Sequence, residues 1–322
     1  MNRRRFLANS GAALAILPSA ASAQAWPARN ITLVVPFPPG GTNDIFARAI
    51  ADKLGATLGV SVIIDNRGGA GGTIGSTAVA RAAPDGYTLM TGHIGTLGVN
   101  PSLYPNLSYD TLTSFDYVAA LGLVPNLLVV HPSLPFKTVE DLIDYARANP
   151  NKLNYATAGS GSAADIVMAA FNVAAKTQMV PVPYRGTAPA LTDLLAGQVQ
   201  LTITGATAVL QHVQASSLRA LGVTTLKRIR VAPGIPAIAE TLPGFEASQW
   251  YGIVTPAHTP APILKRLEDE IRKIMHMPDV LARLEAEGVE LWEVTPEEFR
   301  AHVAKEIPRW KAVIVAAKIN GQ

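Results

Sequence analysis

Short β-branched runs alternate with segments of helical periodicity along most of this chain, and few folds accommodate that alternation. The run at 31–37 is followed by a helical pattern over 42–58, which Gly59 closes, and a second run occupies 60–65. The same alternation continues to about residue 224. Strands that alternate with helices form mostly parallel sheets with helices on both faces. The pattern therefore predicts an α/β fold.

Two stretches predict that the chain passes twice between two domains. The first, 120–126, is apolar and is broken by a glycine and a proline, and the second, 243–249, follows a proline-rich loop. A length of 322 residues is sufficient for two domains of ~100–200 residues each. The predicted domains are a discontinuous domain 1, formed by 24–126 plus 245–322, and a continuous domain 2, formed by 127–244.

Residues 1–23 are predicted to be a twin-arginine signal peptide that is cleaved after Ala23. Arg3–Arg5 form a charged start, an apolar stretch follows, and the sequence Ala-Ser-Ala at 21–23 fits an A-x-A cleavage site. The Arg-Arg-x-Phe-Leu pattern at 3–7 is typical of the twin-arginine pathway, and a Sec signal with three arginines is the alternative. Export without a membrane anchor predicts a protein of the periplasm.

Charge and cysteine content exclude several classes of function. The chain has 27 Lys and Arg against 24 Asp and Glu, and three of the arginines lie in the predicted signal peptide, so the remainder has 24 of each. A formal net charge of zero after the predicted signal peptide does not fit nucleic-acid binding, which needs clustered positive charge. The absence of cysteine excludes disulfides, thiolate nucleophiles and iron–sulfur clusters. We expect no nucleic-acid partner and no cofactor.

Four predicted strand-to-helix junctions are rich in Gly, Ser and Thr and are candidates for an anion site. They span 37–44, 68–73, 157–162 and 184–189. Glycine lets the backbone approach a ligand, and amides at a helix start carry partial positive charge. Several such starts around one crevice could hold a carboxylate without a lysine. Any one junction of this kind is also needed simply to begin a helix.

No catalytic or metal-binding pattern is evident. A Walker sequence and a G-x-S-x-G elbow are absent, and no two of the six histidines have metal-ligand spacing. His93 ends a predicted strand and could face a ligand, and Asp44 and Asp165 near helix starts could be acids, bases or caps. Trp250 and Tyr251 could wall a cleft or pack in the core. An exported α/β enzyme that acts on a small carboxylic acid is the alternative function.

A series of short motifs in constant order carries a resemblance to one known family. The motifs are 35–44 (VPFPPGGTND), 66–67 (NR) with 69–72 (GAGG), 83–88 (APDGYT), 100–104 (NPSLY), 149–156 (NPNKLNYA), 183–186 (PYRG), 189–195 (PALTDLL) and 197–199 (GQV). From about Trp26 to the last predicted helix, the chain resembles the periplasmic substrate-binding proteins of tripartite tricarboxylate transporters, known as the Bug family.

The resemblance implies a two-domain periplasmic binding protein of the Venus-flytrap, type II-like kind. Each domain would contain a mostly parallel sheet flanked by helices, with the ligand cleft between the domains. Such a protein captures a small organic acid by domain closure and delivers it to the permease subunits of a membrane transporter, without catalysis. We expect it to be a monomer.

The resemblance also implies which loops hold a ligand carboxylate, through backbone amides and ordered water. The ligand-binding residues that it implies are Phe37, Gly41, Thr42, Asn43, Gly95, Thr96, Ser160, Gly161, Ser162, Gly186, Thr187, Thr204 and Gly205. Thr204 and Gly205 stand where many members have an acid or an amide, so an amine-bearing ligand is not expected. The expected ligand is a di- or tricarboxylate or an aromatic carboxylate.

Overall fold

The computed structural model of the protein describes residues 26–286, 288–317 and 319. The predicted signal peptide and its cleavage site lie outside the described residues. The strands are β1 (Ile31–Val35), β2 (Val62–Asn66), β3 (Thr88–His93), β4 (Phe115–Val124), β5 (Asn126–Val130), β6 (Asn154–Thr157), β7 (Val180–Pro183), β8 (Leu201–Gly205), β9 (Arg219–Val223), β10 (Gln249–Pro256) and β11 (Glu290–Leu291).

Helices connect and cover these strands. They are α1 (Thr42–Leu58), α2 (Thr73–Ala80), α3 (Asn100–Leu103), α4 (Val139–Ala148), α5 (Ala163–Ala175), α6 (Thr187–Leu195), α7 (Ala206–Gln214), α8 (Ala261–Met275), α9 (Pro278–Ala286) and α10 (Pro296–Ala317). As predicted, Gly59 ends α1: it adopts a φ of 74°, and its amide donates to the carbonyl of Gly55.

The strands form two sheets, which confirms the predicted α/β fold. The first sheet has the order β11-β4-β10-β3-β1-β2 and the second the order β7-β6-β8-β5-β9. The predicted boundary at 126/127 falls at the start of β5, and the boundary at 244/245 falls between β9 and β10. The division into domains at these residues stays a prediction.

Most strands of each sheet run in one direction, as predicted, but both sheets are mixed, because β10 and β11 in the first sheet and β5 in the second run the opposite way. β1, β2 and β3 pair in parallel, as do β6, β7 and β8. In contrast, β10 is antiparallel to β3 and β4, and β5 is antiparallel to β8 and β9. A helical crossover within one sheet makes neighbouring strands parallel. The chain enters β5 and β10 from the other sheet, so that constraint does not apply to them.

Four strands of the two sheets lead into helices at the same place in the fold. β1 precedes α1 in the first sheet, and β6, β7 and β8 precede α5, α6 and α7 in the second. The carboxyl ends of these strands, and therefore the starts of these helices, face the gap between the sheets. The last helix, α10, packs against α5, and its Trp310 lies in a core cluster with residues of both sheets.

Within the described ranges, no helix is both long enough and apolar enough to span a membrane.

Candidate functional site

A cleft lies where the loops of the two sheets face each other. Its volume is about 490 Å³, counted with its mouth. Many of the predicted site residues line it: Phe37, Gly41, Thr42, Asn43, His93 and Tyr251 from the first-sheet side, and Ser162, Gly186, Thr187 and Thr204 from the second-sheet side. The structure therefore brings these residues together, and their role in binding a ligand stays a prediction.

Four helices begin at this cleft, and three of them begin without a side-chain cap. The N-cap residues of α1, α6 and α7 are Gly41, Gly186 and Gly205, which have no side chain to accept a hydrogen bond from the first turn. The fourth helix, α5, is capped by Ser162, whose hydroxyl accepts from the amide of Asp165 at 3.4 Å. The uncapped starts of α1 and α6 present free amides and the positive end of the helix dipole, which suits an anion, whereas at the start of α7 the amide of Ala206 donates to the carbonyl of Pro125 at 2.9 Å.

His93 presents a neutral ring to this cleft. Burial lowers the pKa of His93 to about 3, so the imidazole is uncharged near neutral pH. Its Nδ1 accepts from the amide of Thr96 at 3.2 Å, which assigns the proton to Nε2. The ring packs edge-on against Phe37, with centroids 4.9 Å apart, and lies 5.7 Å from the ring of Tyr251. His93 therefore offers a hydrogen-bond donor without formal charge.

Gly95 and Thr96 lie behind His93 instead of in the cleft lining. Thr96 is fully buried, and its amide and hydroxyl hydrogen-bond to His93. Gly95 leaves room for the imidazole, because a Cβ there would stand 2.7 Å from Cε1 of His93. These two residues position the ring and do not themselves reach the cleft.

Asp44 is committed to hydrogen bonds within its own loop. Its carboxylate accepts from the Gly40 amide at 3.0 Å, from Arg48 at 2.8 Å and from Asn66 at 3.1 Å. Burial by itself would raise the pKa of Asp44, but these hydrogen bonds outweigh it and hold the pKa below its ordinary value. The carboxylate therefore stays ionised and holds the start of α1 in place.

Asp165 likewise supports a loop. Its carboxylate accepts from the Gly161 amide at 3.0 Å, and burial raises its pKa. Neither Asp165 nor Gly161 lines the cleft, and Ser160 lines a neighbouring cavity instead. Gly205 also lies behind the lining, where a Cβ would stand 3.1 Å from the hydroxyl of Thr42.

Trp250 and Tyr251 point to opposite faces of β10, so only one of them lines the cleft. Trp250 packs against Phe299 and donates from Nε1 to Glu306 at 3.4 Å, on the side away from the cleft. Side chains alternate along a strand, so Gln249 shares the face of Tyr251. Gln249 lines the cleft and was not predicted. The alternation would have identified it as the partner of Tyr251.

Small and apolar residues of the lining were also missed. They are Pro38, Ala158, Ala163 and Ala164. Each lies within or beside a predicted loop, and nothing in its residue type marks it as a ligand contact. Their place in the lining follows from the way the loops are folded together.

The two sides of the cleft touch each other directly. The hydroxyls of Thr42 in α1 and Thr207 in α7 are 2.7 Å apart. In the neighbouring cavity, the hydroxyl of Tyr104 donates to the carbonyl of Ser160 at 3.3 Å. The structure therefore describes a closed cleft.

In the part of the chain that the structure describes, no three His, Asp or Glu side chains come together in a way that could hold a metal ion.

Comparison with known proteins supplies the family. The family described as "Tripartite tricarboxylate transporter family receptor" matches residues 46–319. The chain belongs to this family. The resemblance seen in the sequence motifs is thus confirmed, and the protein is a periplasmic solute-binding protein of this receptor type.

Solved receptors of the family share the fold over nearly the whole chain. The periplasmic binding protein BugD is 35% identical, with a TM-score of 0.87, covering 92% of this chain and 100% of its own. Rpa4515 of R. palustris, solved with adipate, is 38% identical, with a TM-score of 0.88, covering 92% and 99%. MatC of Rhodopseudomonas palustris, solved with malate, is 35% identical, with a TM-score of 0.85, covering 90% and 100%.

Proposed function

We propose that this receptor captures a small organic acid in the cleft between its two sheets and delivers it to the membrane subunits of a tripartite tricarboxylate transporter. The observation that carries the proposal is the meeting of four helix starts at one cleft, three of them without a side-chain cap. Free amides and helix dipoles stabilise a carboxylate there, although none of the side chains lining the cleft in the described residues carries formal charge.

The side chains on the opposite side of the cleft determine which ligands can bind, because they contact the part of the ligand that carries the carboxylate. Phe37, His93 and Tyr251 supply rings, and the neutral His93 adds one hydrogen-bond donor. These uncharged rings suit the aliphatic or aromatic part of a ligand, and His93 can donate a hydrogen bond to a second carboxylate of the same ligand. Relatives solved with adipate and with malate make a dicarboxylate the first ligand to test, followed by tricarboxylates and aromatic carboxylates.

Capture works by closure of the two sides on the ligand. A ligand that contacts both sides favours the closed arrangement by its difference in affinity for the closed and open states. The Thr42–Thr207 contact forms only when the sides meet. The Asp44 carboxylate is held by three donors, and His93 is a weak base because its pKa is lowered to about 3 and its Nδ1 already accepts from Thr96. We therefore assign binding and no catalysis.

A thermal-shift screen tests the ligand class. Adipate, malate, citrate and benzoate are compared with adipamide, which has the length of adipate but no carboxylate. A ligand at a hundredfold excess over its Kd stabilises the native state by ~2.7 kcal/mol. We expect at least one acid to raise the Tm and adipamide to have no effect. If only uncharged or amine-bearing compounds raise the Tm, the proposed ligand class is wrong.

The mature amino terminus tests the proposed location. We propose export to the periplasm with cleavage after Ala23, so protein purified from the periplasm should begin at Gln24, as measured by intact mass. Replacing Arg3 and Arg4 with Lys should block export by the twin-arginine route and leave export by the Sec route intact. An intact mass that includes Met1 would contradict cleavage.

A further inference from the structure

A chain of buried hydrogen bonds leads from the cleft to the connections between the two sheets. Tyr251 lines the cleft, and its hydroxyl hydrogen-bonds to Oε1 of Gln249. Nε2 of Gln249 hydrogen-bonds to Oδ1 of Asn126, and Nδ2 of Asn126 donates to the carbonyl of Ala247 at 2.5 Å. Tyr251, Gln249 and Asn126 are all at least nine-tenths buried.

The directions of the hydrogen bonds between Ala247 and Tyr251 follow from the carbonyl of Ala247. The carbonyl of Ala247 can only accept, so Asn126 must present Nδ2 to it and Oδ1 to Gln249. Gln249 then presents Oε1 to Tyr251, whose hydroxyl must donate to it. The Tyr251 hydroxyl is left with an acceptor, and Thr42 lies beside it in the lining of the same cleft. The hydroxyl of Thr42 hydrogen-bonds in turn to that of Thr207 across the cleft, at 2.7 Å, and either hydroxyl can be the donor.

The inner end of this chain lies where the backbone passes between the sheets. Asn126 begins β5 immediately after the first passage, and Ala247 and Gln249 complete the second passage into β10. Thr224, which follows β9, joins the two: its hydroxyl accepts from the amide of Asn126 and donates to the carbonyl of Ala247, both at 3.0 Å. The outer end, Thr207, lies on the opposite side of the cleft. The chain of hydrogen bonds therefore connects the cleft with both places where the backbone passes from one sheet to the other.

We propose that Asn126 and Gln249 are positioning residues that couple closure of the cleft to the two passages between the sheets. When the cleft is closed, Thr207 holds the hydroxyl of Thr42 in place beside Tyr251, the cleft end of the chain. Hydrogen bonds in such a chain strengthen one another. When the cleft opens, Thr42 loses Thr207, and the order along the chain decreases. Coupling of this kind serves the proposed function, since ligand capture is what closes the cleft.

A double-mutant cycle tests the coupling between the two ends of the chain. Thr207→Val removes the outer hydroxyl without changing side-chain size, and Asn126→Leu removes the inner amide, which does not line the cleft. We expect the Kd for adipate to rise about fivefold in Thr207→Val, about tenfold in Asn126→Leu and only about tenfold in the double variant. A rise of about fiftyfold in the double variant, the product of the single effects, overturns the proposal.

Thr255→Val is the matched control. Thr255 is also on β10, and its buried hydroxyl has no hydrogen-bond partner in the described residues, so we expect a Kd within twofold of the wild type. A Kd that rises as much as in Thr207→Val would show that the loss of any buried hydroxyl suffices and would overturn the proposal. If Asn126→Leu does not fold, Gln249→Met takes its place in the cycle.

A second cycle, on the free energy of unfolding in urea without ligand, separates this proposal from the proposed function. A wild-type protein that binds no carboxylate contradicts the proposed function, and the unfolding cycle then decides the coupling. Non-additive unfolding free energies support the coupling with or without adipate binding. Additive values in every cycle that can be measured overturn it.

Discussion

The two sides of the cleft are built from different parts of the polypeptide. The second-sheet side, which we call the amide wall, consists of the starts of α5, α6 and α7, with Ser162, Gly186 and Thr187 as lining residues. The first-sheet side, which we call the side-chain wall, presents Phe37, His93, Gln249 and Tyr251. α1 begins between them. One wall uses backbone groups, and the other uses rings and an amide side chain.

This difference separates two tasks of recognition. Backbone amides keep their polarity at any pH, and no single replacement except by proline removes one, so the amide wall is suited to the feature that all expected ligands share, the carboxylate. Side chains change with each substitution, so the side-chain wall is suited to distinguishing one acid from another.

The side-chain wall should contribute a pH dependence of stability through His93. The unfolded histidine has a pKa near 6.5, and the pKa of the folded one is lowered to about 3 by burial, so between these values the unfolded chain binds more protons. Stability therefore decreases as the pH falls below 6.5, by about 2.5 kcal/mol between pH 7 and 4.5. We expect His93→Asn, whose Oδ1 can still accept from Thr96, to remove this part of the decrease, measured by urea unfolding at both pH values.

His258→Asn is the control, because His258 is exposed and has a φ of 70°, which asparagine tolerates. Its unfolding free energy should change with pH as in the wild type. An equal decrease in wild type and His93→Asn would show that His93 is not buried in its neutral form.

Within the amide wall, substitution of Gly186 should weaken ligand binding most. This residue has a φ of 125° and a ψ of 173°, a conformation nearly restricted to glycine, and a Cβ would stand 3.3 Å from Cγ of Pro38. The strain of Gly186→Ala is about 2 kcal/mol. Because relief of that strain rotates the amides at the start of α6, we expect the affinity for adipate, measured by calorimetry, to fall about tenfold.

Gly244→Ala separates strain from recognition. Gly244 also has a positive φ, of 80°, but a Cβ there would meet no atom within 4 Å. We expect this variant to lose stability and to keep its affinity. If both variants bind adipate as the wild type does, the start of α6 does not contact the ligand.

Truncation of a hydroxyl at the start of α1 or of α5 should in each case weaken binding by about 1–2 kcal/mol, the range for an unmade buried hydrogen bond. Thr42→Ala tests the start of α1, and Ser162→Ala tests the capped start of α5. Ser133→Ala, at an exposed turn, is the control. Affinities for adipate that stay unchanged in both cleft variants would place the ligand elsewhere.

The salt concentration should change the affinity for adipate less than any of the cleft substitutions above. Because no lining side chain among the described residues carries formal charge, binding rests on buried amides that dissolved ions screen poorly. We expect the Kd for adipate to change less than threefold between 50 and 500 mM NaCl. A steeper dependence would indicate that an exposed cation, such as Arg185 in the neighbouring cavity, contributes to recognition.

Much of the amide wall could be predicted from the sequence, because a helix start is a local event. Glycine after a β-branched run and before a helical pattern marks such a start, as at Gly41 and Gly186. The side-chain wall could be predicted only in part. Trp250 and Tyr251 are equally apolar in sequence, and only the strand pairing of β10 decides that Tyr251 faces the cleft.

By itself, the sequence determined the alternation of strands and helices, the glycine-rich helix starts and the family, because each depends on residues close together in the chain. The tertiary structure alone decided that β5 and β10 run antiparallel to their neighbours, that Asp44 and Asp165 hold loops, and that Asn126, Gln249 and Tyr251 form one chain of hydrogen bonds. Asn126 and Gln249 are 123 residues apart. Contacts over such separations depend on how the sheets come together, which no local pattern of residue types encodes.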